Sequence, residues 1–455
     1  MTAFDQLGLD ARLLQATRDA GYGDPTPIQA KAIPPALAGR DVLGLAQTGT
    51  GKTAAFGLPL VQALMALPGR PEPKGVKALV LAPTRELVNQ IAETLAPYTA
   101  GSKIRVGRVV GGQSINRQIN MLSKGLDLLV ATPGRLIDLM ERRAVRLDTA
   151  RFLVLDEADQ MLDMGFIHAL RKIAPALGTP RQTMLFSATM PKDMEALAAQ
   201  YLSDPVKVQV SPPGKAADKV TQSLHFVPQA EKAAFLKEML GRDPGARSLV
   251  FARTKHGAEK LMKDLVKAGF DAASIHGNKS QGQRDRAIAG FRDGSVAILV
   301  ATDVAARGID IPGVAYVFNY DLPNVPDQYV HRIGRTARAG REGEAIAFVD
   351  ATEMGYLKDI EKVMGIRIPV AGGERPVPQA PAKPQRGGGR RQGGGGGGGG
   401  APKAGKPKAR RGGGKPKGGA KPGGAPIPAA PKVAHTGAGG GAKTPKRART
   451  RQRAA

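Results

Sequence analysis

The sequence predicts an α/β protein with two tandem parallel-sheet domains and a disordered basic C-terminal tail. Three observations predict it. Short apolar runs alternate with longer stretches of helical periodicity, the pattern of parallel strands joined by crossover helices. A chain of 455 residues exceeds what one ordinary core organises, so two domains plus additional sequence are expected. Composition also changes abruptly: residues 375–455 hold ten Lys, ten Arg and no acid, with eight consecutive glycines from Gly393 to Gly400 and no Phe, Tyr or Trp. Such a segment cannot bury a core.

The first set of strands is VKALVLAPT from Val76, DLLVATPGR from Asp127, RFLVLDEAD from Arg151 and QTMLFSAT from Gln182. The second is ARSLVFART from Ala246, AASIHG from Ala272, VAILVATD from Val296, VAYVFNYD from Val314 and EAIAFVD from Glu344. Between them, QVSPPGKAADK (Gln209 to Lys219) has the Pro-Pro-Gly and charge of an exposed hinge. The expected division is therefore an entry region 1–30, a domain over 31–208, a linker over 209–219, a second domain over 220–370 and the tail from 371. The carboxyl edge of each open parallel sheet is where ligands are expected.

Charge and composition restrict the function. Of the net +28, the segment 375–455 carries +20, leaving +8 for residues 1–374, which points to a polyanionic partner. The absence of cysteine excludes disulfides, thiolate metal sites and cysteine nucleophiles. The six histidines, His168, His225, His256, His276, His331 and His435, show no ligand-like spacing, so no transition metal is expected. No apolar run reaches 18 residues and MTAFDQLGLD lacks a signal-peptide layout; a cytoplasmic protein without membrane contact is expected.

AQTGTGKT, Ala46 to Thr53, follows the short strand DVLGLA and precedes an apolar helical stretch, the setting of a phosphate-binding loop. Gly49 and Gly51 let backbone N–H groups turn toward phosphates at a helix start, Lys52 can reach the β- and γ-phosphates, and Thr53 can hold Mg²⁺. Ala46 stands where the general pattern has Gly. Asp156 and Glu157 directly follow a strand, where one carboxylate can bind Mg²⁺ through water and the next can face the hydrolytic water. With Lys52 and Thr53 they complete an ATPase.

The string DEAD at Asp156–Asp159 belongs to an ordered series: Phe4 with sixteen residues before GYGDPTPIQ, then AQTGTGKT, PTRELV, Gly111-Gly112, TPGR, DEAD, SAT, VFART, QGQR, ATDVAARGID and HRIGRTAR. Over residues 1 to about 366 the chain resembles the DEAD-box ATP-dependent RNA helicases of superfamily 2, and in its compact core and basic tail the bacterial RhlE-like branch. The resemblance implies two RecA-like domains, with 1–30 as the Q-motif region, and ATP and Mg²⁺ as cofactors. It assigns adenine reading to Gln29, with Phe4, Tyr22 and Thr26 beside it and Phe4 open to a plain core role. Phosphate binding falls to Ala46, Gln47, Thr48, Gly49, Thr50, Gly51, Lys52 and Thr53. Asp156 is the Mg²⁺ partner with Thr53, Glu157 orients or deprotonates water, and Arg335 and Arg338 are arginine fingers. Gly308 and Asp310 approach the nucleotide, Asp310 at the ribose. Asp159, Ser187, Ala188, Thr189, Asp303 and His331 couple the domains. The family usually has Gly at Ala337; a positive φ there would cost Ala about 1 to 2 kcal/mol.

RNA is implied to cross both domains through Pro83, Thr84, Arg85, Gly112, Thr132, Gly134 and Arg135, and then Arg253, Thr254, Gly277, Arg284 and Thr302. These are turn amides, hydroxyls and arginines, suited to phosphates rather than bases; Thr84 and Thr132 can equally cap helices. The implied activity is RNA-stimulated ATP hydrolysis coupled to local, non-processive unwinding in ribosomal RNA maturation or RNA decay, with ribosomal-precursor or decay proteins as partners. The tail reads as an RNA tether or a solubilising appendage.

Overall fold

The computed structural model describes residues 3–47, 49–210, 220–308, 313–337 and 342–375. Thr48, Asp310, Arg338, linker residues 211–219 and the tail from 376 lie outside the described residues. Two seven-stranded sheets organise the remainder. The first contains β1 (Val42–Leu45), β2 (Val76–Leu81), β3 (Val106–Val109), β4 (Leu126–Ala131), β5 (Phe152–Leu155), β6 (Gln182–Ser187) and β7 (Val206–Gln209). The second contains β8 (Val220–Phe226), β9 (Ser248–Phe251), β10 (Ala272–Ile275), β11 (Ile298–Ala301), β12 (Tyr316–Asn319), β13 (Gly343–Val349) and β14 (Val370–Gly372).

The strand orders are β3-β4-β2-β5-β6-β1-β7 and β10-β11-β9-β12-β13-β8-β14, with the strands paired parallel. Counted from its own first strand, each sheet has the same order, so one architecture occurs twice, in tandem RecA-like domains. Strand alternation explains why both faces are buried. Val80, Val130, Val154 and Phe186 enter one core of the first domain, while Leu79, Leu129, Leu153 and Leu185 enter the core on the opposite face. Val250, Val300 and Phe318 likewise oppose Leu249, Leu299 and Val317 in the second domain.

Two segment ends differ from the sequence expectation. Gln209, expected to open the linker, closes β7, which pairs with β1. Residues 371 and 372, expected in the tail, belong to β14, which pairs with β8 and extends the second sheet. No helix among the described residues is long and apolar enough to cross a membrane.

Candidate active site

The residues that matter chemically leave the carboxyl ends of the strands, where the sheet order opens a crevice. After β1, Ala46 donates its N–H to Ser187 O (3.0 Å) and the Thr50 hydroxyl donates to Gln47 O (2.8 Å). Gly51 then turns at φ 90°, a conformation open to Gly, and starts the helix Lys52–Ala66. That helix start, with Gly49, Lys52 and half-buried Thr53, lines a cavity that also receives Asp156 and Glu157 from the end of β5. Tyr22, Leu87, Gln90 and Thr94 close its sides, and Gly308 and Arg335 reach it from the second domain.

The cavity holds charges in short supply of partners. Lys52 Nζ is buried without a hydrogen bond, 3.9 Å from Asp156 Oδ1, and Glu157 Oε2 is buried without one. Burial pushes both carboxyls above their usual range, opposed chiefly by the Lys52 ammonium; Arg335 adds to that opposition at Glu157. A buried ammonium lacking an acceptor fits a phosphate, and a hydroxyl and carboxylate at Thr53 and Asp156 fit Mg²⁺. Glu157 itself sits at φ 52°, so its backbone is held in the left-handed region beside the cavity.

Gln29 is tied to the phosphate loop. Its side chain is fully buried, its Oε1 accepting from Thr26 N (2.8 Å) and its Nε2 donating to Gly51 O (3.1 Å). It braces the phosphate loop at Gly51. Phe4 is a core residue, 1% exposed and edge-on to Tyr22, which alone of the two reaches the cavity.

One interdomain contact falls on the DEAD string. Asp159 Oδ2 accepts from Ala188 N (3.0 Å) and from Thr189 N (2.9 Å), and lies 3.8 Å from His331 Nε2 of the second domain. Ser187 donates to Thr189 O, completing that turn. Asp303, expected between the domains, instead pairs within its own: Arg332 grips both its oxygens at 2.5 and 2.7 Å while bonding Asn319 and Asp321 O. The guanidinium also lies 4.8 Å from the Phe251 ring centre. This buried clamp fixes the helix Pro326–Ile333, which leads directly into Arg335.

A second groove, about 420 Å³, is lined by Pro83, Thr84, Arg85, Thr132, Gly134 and Arg135 with Arg284 of the second domain. Gly112 stands against it, since a Cβ there would lie 2.1 Å from Arg85 Nη1. Thr84 caps its helix, accepting from Leu87 N (3.2 Å); Thr132 makes no such side-chain bond and keeps its hydroxyl available. Arg253, Thr254, Gly277 and Thr302 do not line this groove. Thr254 caps the helix Lys255–Lys267, Thr302 precedes the helix Asp303–Ala306, and Gly277 faces open space. Arg253 is turned inward: its guanidinium binds Glu353, which is also held by the fully buried Lys232 at 2.5 Å.

Sequence reasoning left several partners unassigned. Arg307 pairs with Asp163 (3.0 Å), Arg284 with Glu86 (3.2 Å), and Arg85 donates to Gln281 (3.0 Å), each across the two domains. Leu87, Gln90 and Thr94 share one face of the helix Arg85–Thr99 at helical spacing, the one sequence signal that could have found them.

A cavity that joins a glycine-bearing loop, a lysine and two carboxylates of one domain to an arginine of a second has the composition of a two-domain helicase ATPase site, and this molecule falls in that class. The DEAD/DEAH box helicase family matches residues 26–197, and the helicase conserved C-terminal domain matches residues 231–340. The chain is 44% identical over 365 residues to the ATP-dependent RNA helicase CshA of Limosilactobacillus reuteri, covering 80% of this chain and 72% of that one. It is 43% identical to CshA of Listeria monocytogenes over 362 residues, 80% of this chain and 69% of that one. It also resembles S. cerevisiae Dbp5 bound to RNA and ADP BeF3, with TM-score 0.74, 34% identity, and coverage of 82% and 96% of the two chains. Mss116p bound to ssRNA and AMP-PNP gives TM-score 0.74 at 29% identity over 82% of this chain and 79% of that chain. The chain belongs to the DEAD-box family and is an ATP-dependent RNA helicase of that type. The two relatives described above carry the name CshA, a related branch of the family.

Proposed function

We propose that the chain couples RNA-stimulated ATP hydrolysis to local, non-processive opening of short RNA duplexes by closing its two domains around ATP and a single strand. One observation carries this reading: Lys52, Asp156 and Glu157 of the first domain share a buried cavity with Arg335 of the second. Lys52 and the amides from Gly49 to Thr53 bind the phosphates; Thr53 and Asp156 would hold Mg²⁺, which supplies charge neutralisation between phosphate oxygens. Glu157, with an unpartnered oxygen, orients and deprotonates the attacking water. Arg335 stabilises charge spreading over the transferred phosphoryl group, a role worth about 10³ to 10⁵ in rate, so hydrolysis is slow until the domains close.

The single strand occupies the groove of Thr84, Arg85, Thr132, Arg135 and Arg284, contacted through its phosphates. ATP and RNA each favour the closed arrangement, so each raises affinity for the other. RNA rather than DNA is preferred through 2′-hydroxyl contacts. The acid-free tail tethers structured RNA electrostatically near the core. Its size and composition support a place close to the RhlE-like branch, with cytoplasmic work in ribosomal RNA maturation or RNA decay alongside proteins of those processes.

The test is Glu157→Gln, measured for ATP turnover and for retention of RNA with ATP. The variant is expected to hold both ligands together while turnover falls at least about 100-fold, the scale of a lost general base; turnover near the unsubstituted rate would remove the assignment. Lys52→Ala separates this reading from passive, tail-driven annealing and melting of RNA: unwinding stops in the first case and continues in the second.

A further inference from the structure

The groove proposed for the RNA strand does not end at Gly111. A second groove, about 620 Å³, lies beside it along β3 and the helix Ile115–Leu122, lined by Val106, Arg108, Gln113, Ser114, Arg117 and Met121 among others. The two adjoin: Gly111 lines the first, Gln113 the second, and Arg135 of the first donates to Gln113 O at 3.0 Å. Arg108 and Arg117 are both exposed; Arg108 donates to Asn89 Oδ1 (3.2 Å) and Arg117 has no partner among the described residues. Charge is one-sided here. Residues 94–126 contain Lys103, Arg105, Arg108, Arg117 and Lys124 and not one acid, whereas residues 1–374 as a whole are close to balanced at +8.

We infer that the β3 groove is an accessory RNA site, where Arg108 and Arg117 bind phosphates of the strand as it leaves the core groove. This deepens the proposed function, since the core groove must hold RNA for its continuation to matter. The competing explanation is that Arg108 protects an edge: β3 is the outermost strand of its sheet, and charges on edge strands prevent pairing with other chains. Edge protection needs a charge of either sign, whereas phosphate binding needs a cation. Charge reversal therefore distinguishes them.

The experiment uses the full chain with Arg108→Glu and Arg117→Glu together. It measures binding of two oligouridylates, one just long enough to cross the core groove and one several times longer, over a range of salt. For the longer strand the double variant is expected to lose about tenfold in affinity, and the slope of log K against log salt to flatten by about 1.4, two contacts at roughly 0.7 each. Affinity for the short strand and ATP turnover at saturating RNA should be unchanged, and the Arg→Lys pair should restore long-strand binding. Equal loss on both strands, or no loss on the longer one, overturns the accessory site. Failure of the underlying reading looks different, because the unsubstituted protein would then show no RNA stimulation with either strand. The tail is common to all variants, so its share cancels in each comparison.

Discussion

Ala337 sits at φ 55°, so the position at which the resemblance implies Gly does take the left-handed conformation. The neighbouring Thr336 hydroxyl bonds the carbonyls of Val314 and Ala315, which holds the turn directly after Arg335. An L-residue there costs about 1 to 2 kcal/mol, and Gly recovers this less about 0.4 to 1 kcal/mol of added unfolded-chain entropy. Ala337→Gly should thus stabilise the chain by about 0.5 to 1 kcal/mol, read as a higher denaturant midpoint at unchanged slope; a lower midpoint would show that the turn is unstrained. Glu259 offers a test by pH. It reaches Lys279 (2.8 Å), His276 (3.0 Å) and Ser274 (2.8 Å), pinning the segment that carries Gly277, with Lys263 at 3.7 Å. The Lys279 and His276 contacts hold its carboxyl down from the ordinary 4.5 to about 2. A depressed acid stabilises the fold above its unfolded value and loses that contribution as pH falls through the folded one. Glu259→Gln should be less stable than the parent at neutral pH, with the gap closing between pH 4.5 and about 2; a gap that widens in acid would contradict the sign.

At the scale of elements, the helix Arg85–Thr99 and its cap connect the two grooves: Thr84 and Arg85 line the one proposed for RNA, and Leu87, Gln90 and Thr94 line the one proposed for the nucleotide. Gly308 is pressed against its start, where a Cβ would meet Thr84 Oγ1 at 2.2 Å and Leu87 Cβ at 2.9 Å, at φ 71°. Gly308→Ala should therefore prop the domains apart, lowering RNA-stimulated turnover at least about tenfold, as a subångström misplacement of Arg335 would, while leaving nucleotide binding by the first domain intact. Full stimulation in that variant would mean closure does not need this contact. The sequence made the central strands legible because they are buried on both faces and read as continuous apolar runs. It hid β3, β7 and β14 because edge strands are short and carry charges or glycine, and it hid β8 because its residues alternate with half-exposed polar ones. Site residues were legible where chain order alone dictates proximity, as from Gly49 to Thr53. The tertiary partners of other side chains were not legible: Gly51 for Gln29, Glu353 for Arg253, Arg332 for Asp303.

For the whole molecule, charge is divided unevenly between a nearly balanced core and residues 375–455, which carry +20. The structure fixes where the two can be separated. Because β14 ends at Gly372 and pairs with β8, a cut before residue 371 would strip an edge strand from the second sheet, whereas a cut after Glu374 leaves both sheets whole. Each phosphate that the tail neutralises releases counterions, so its removal should lower RNA affinity most at low salt and reduce the salt slope by about 0.7 to 0.9 per lost contact. With no Phe, Tyr or Trp to stack on bases, that loss should be the same for RNAs of different sequence. Turnover at saturating RNA should stay within about twofold, because Lys52, Glu157 and Arg335 all lie in the retained part and binding lost uniformly does not alter the chemical step. A truncated chain with the parent's affinity and slope at low salt would reduce the tail to a solubilising appendage and leave all productive RNA contact to the grooves of the core.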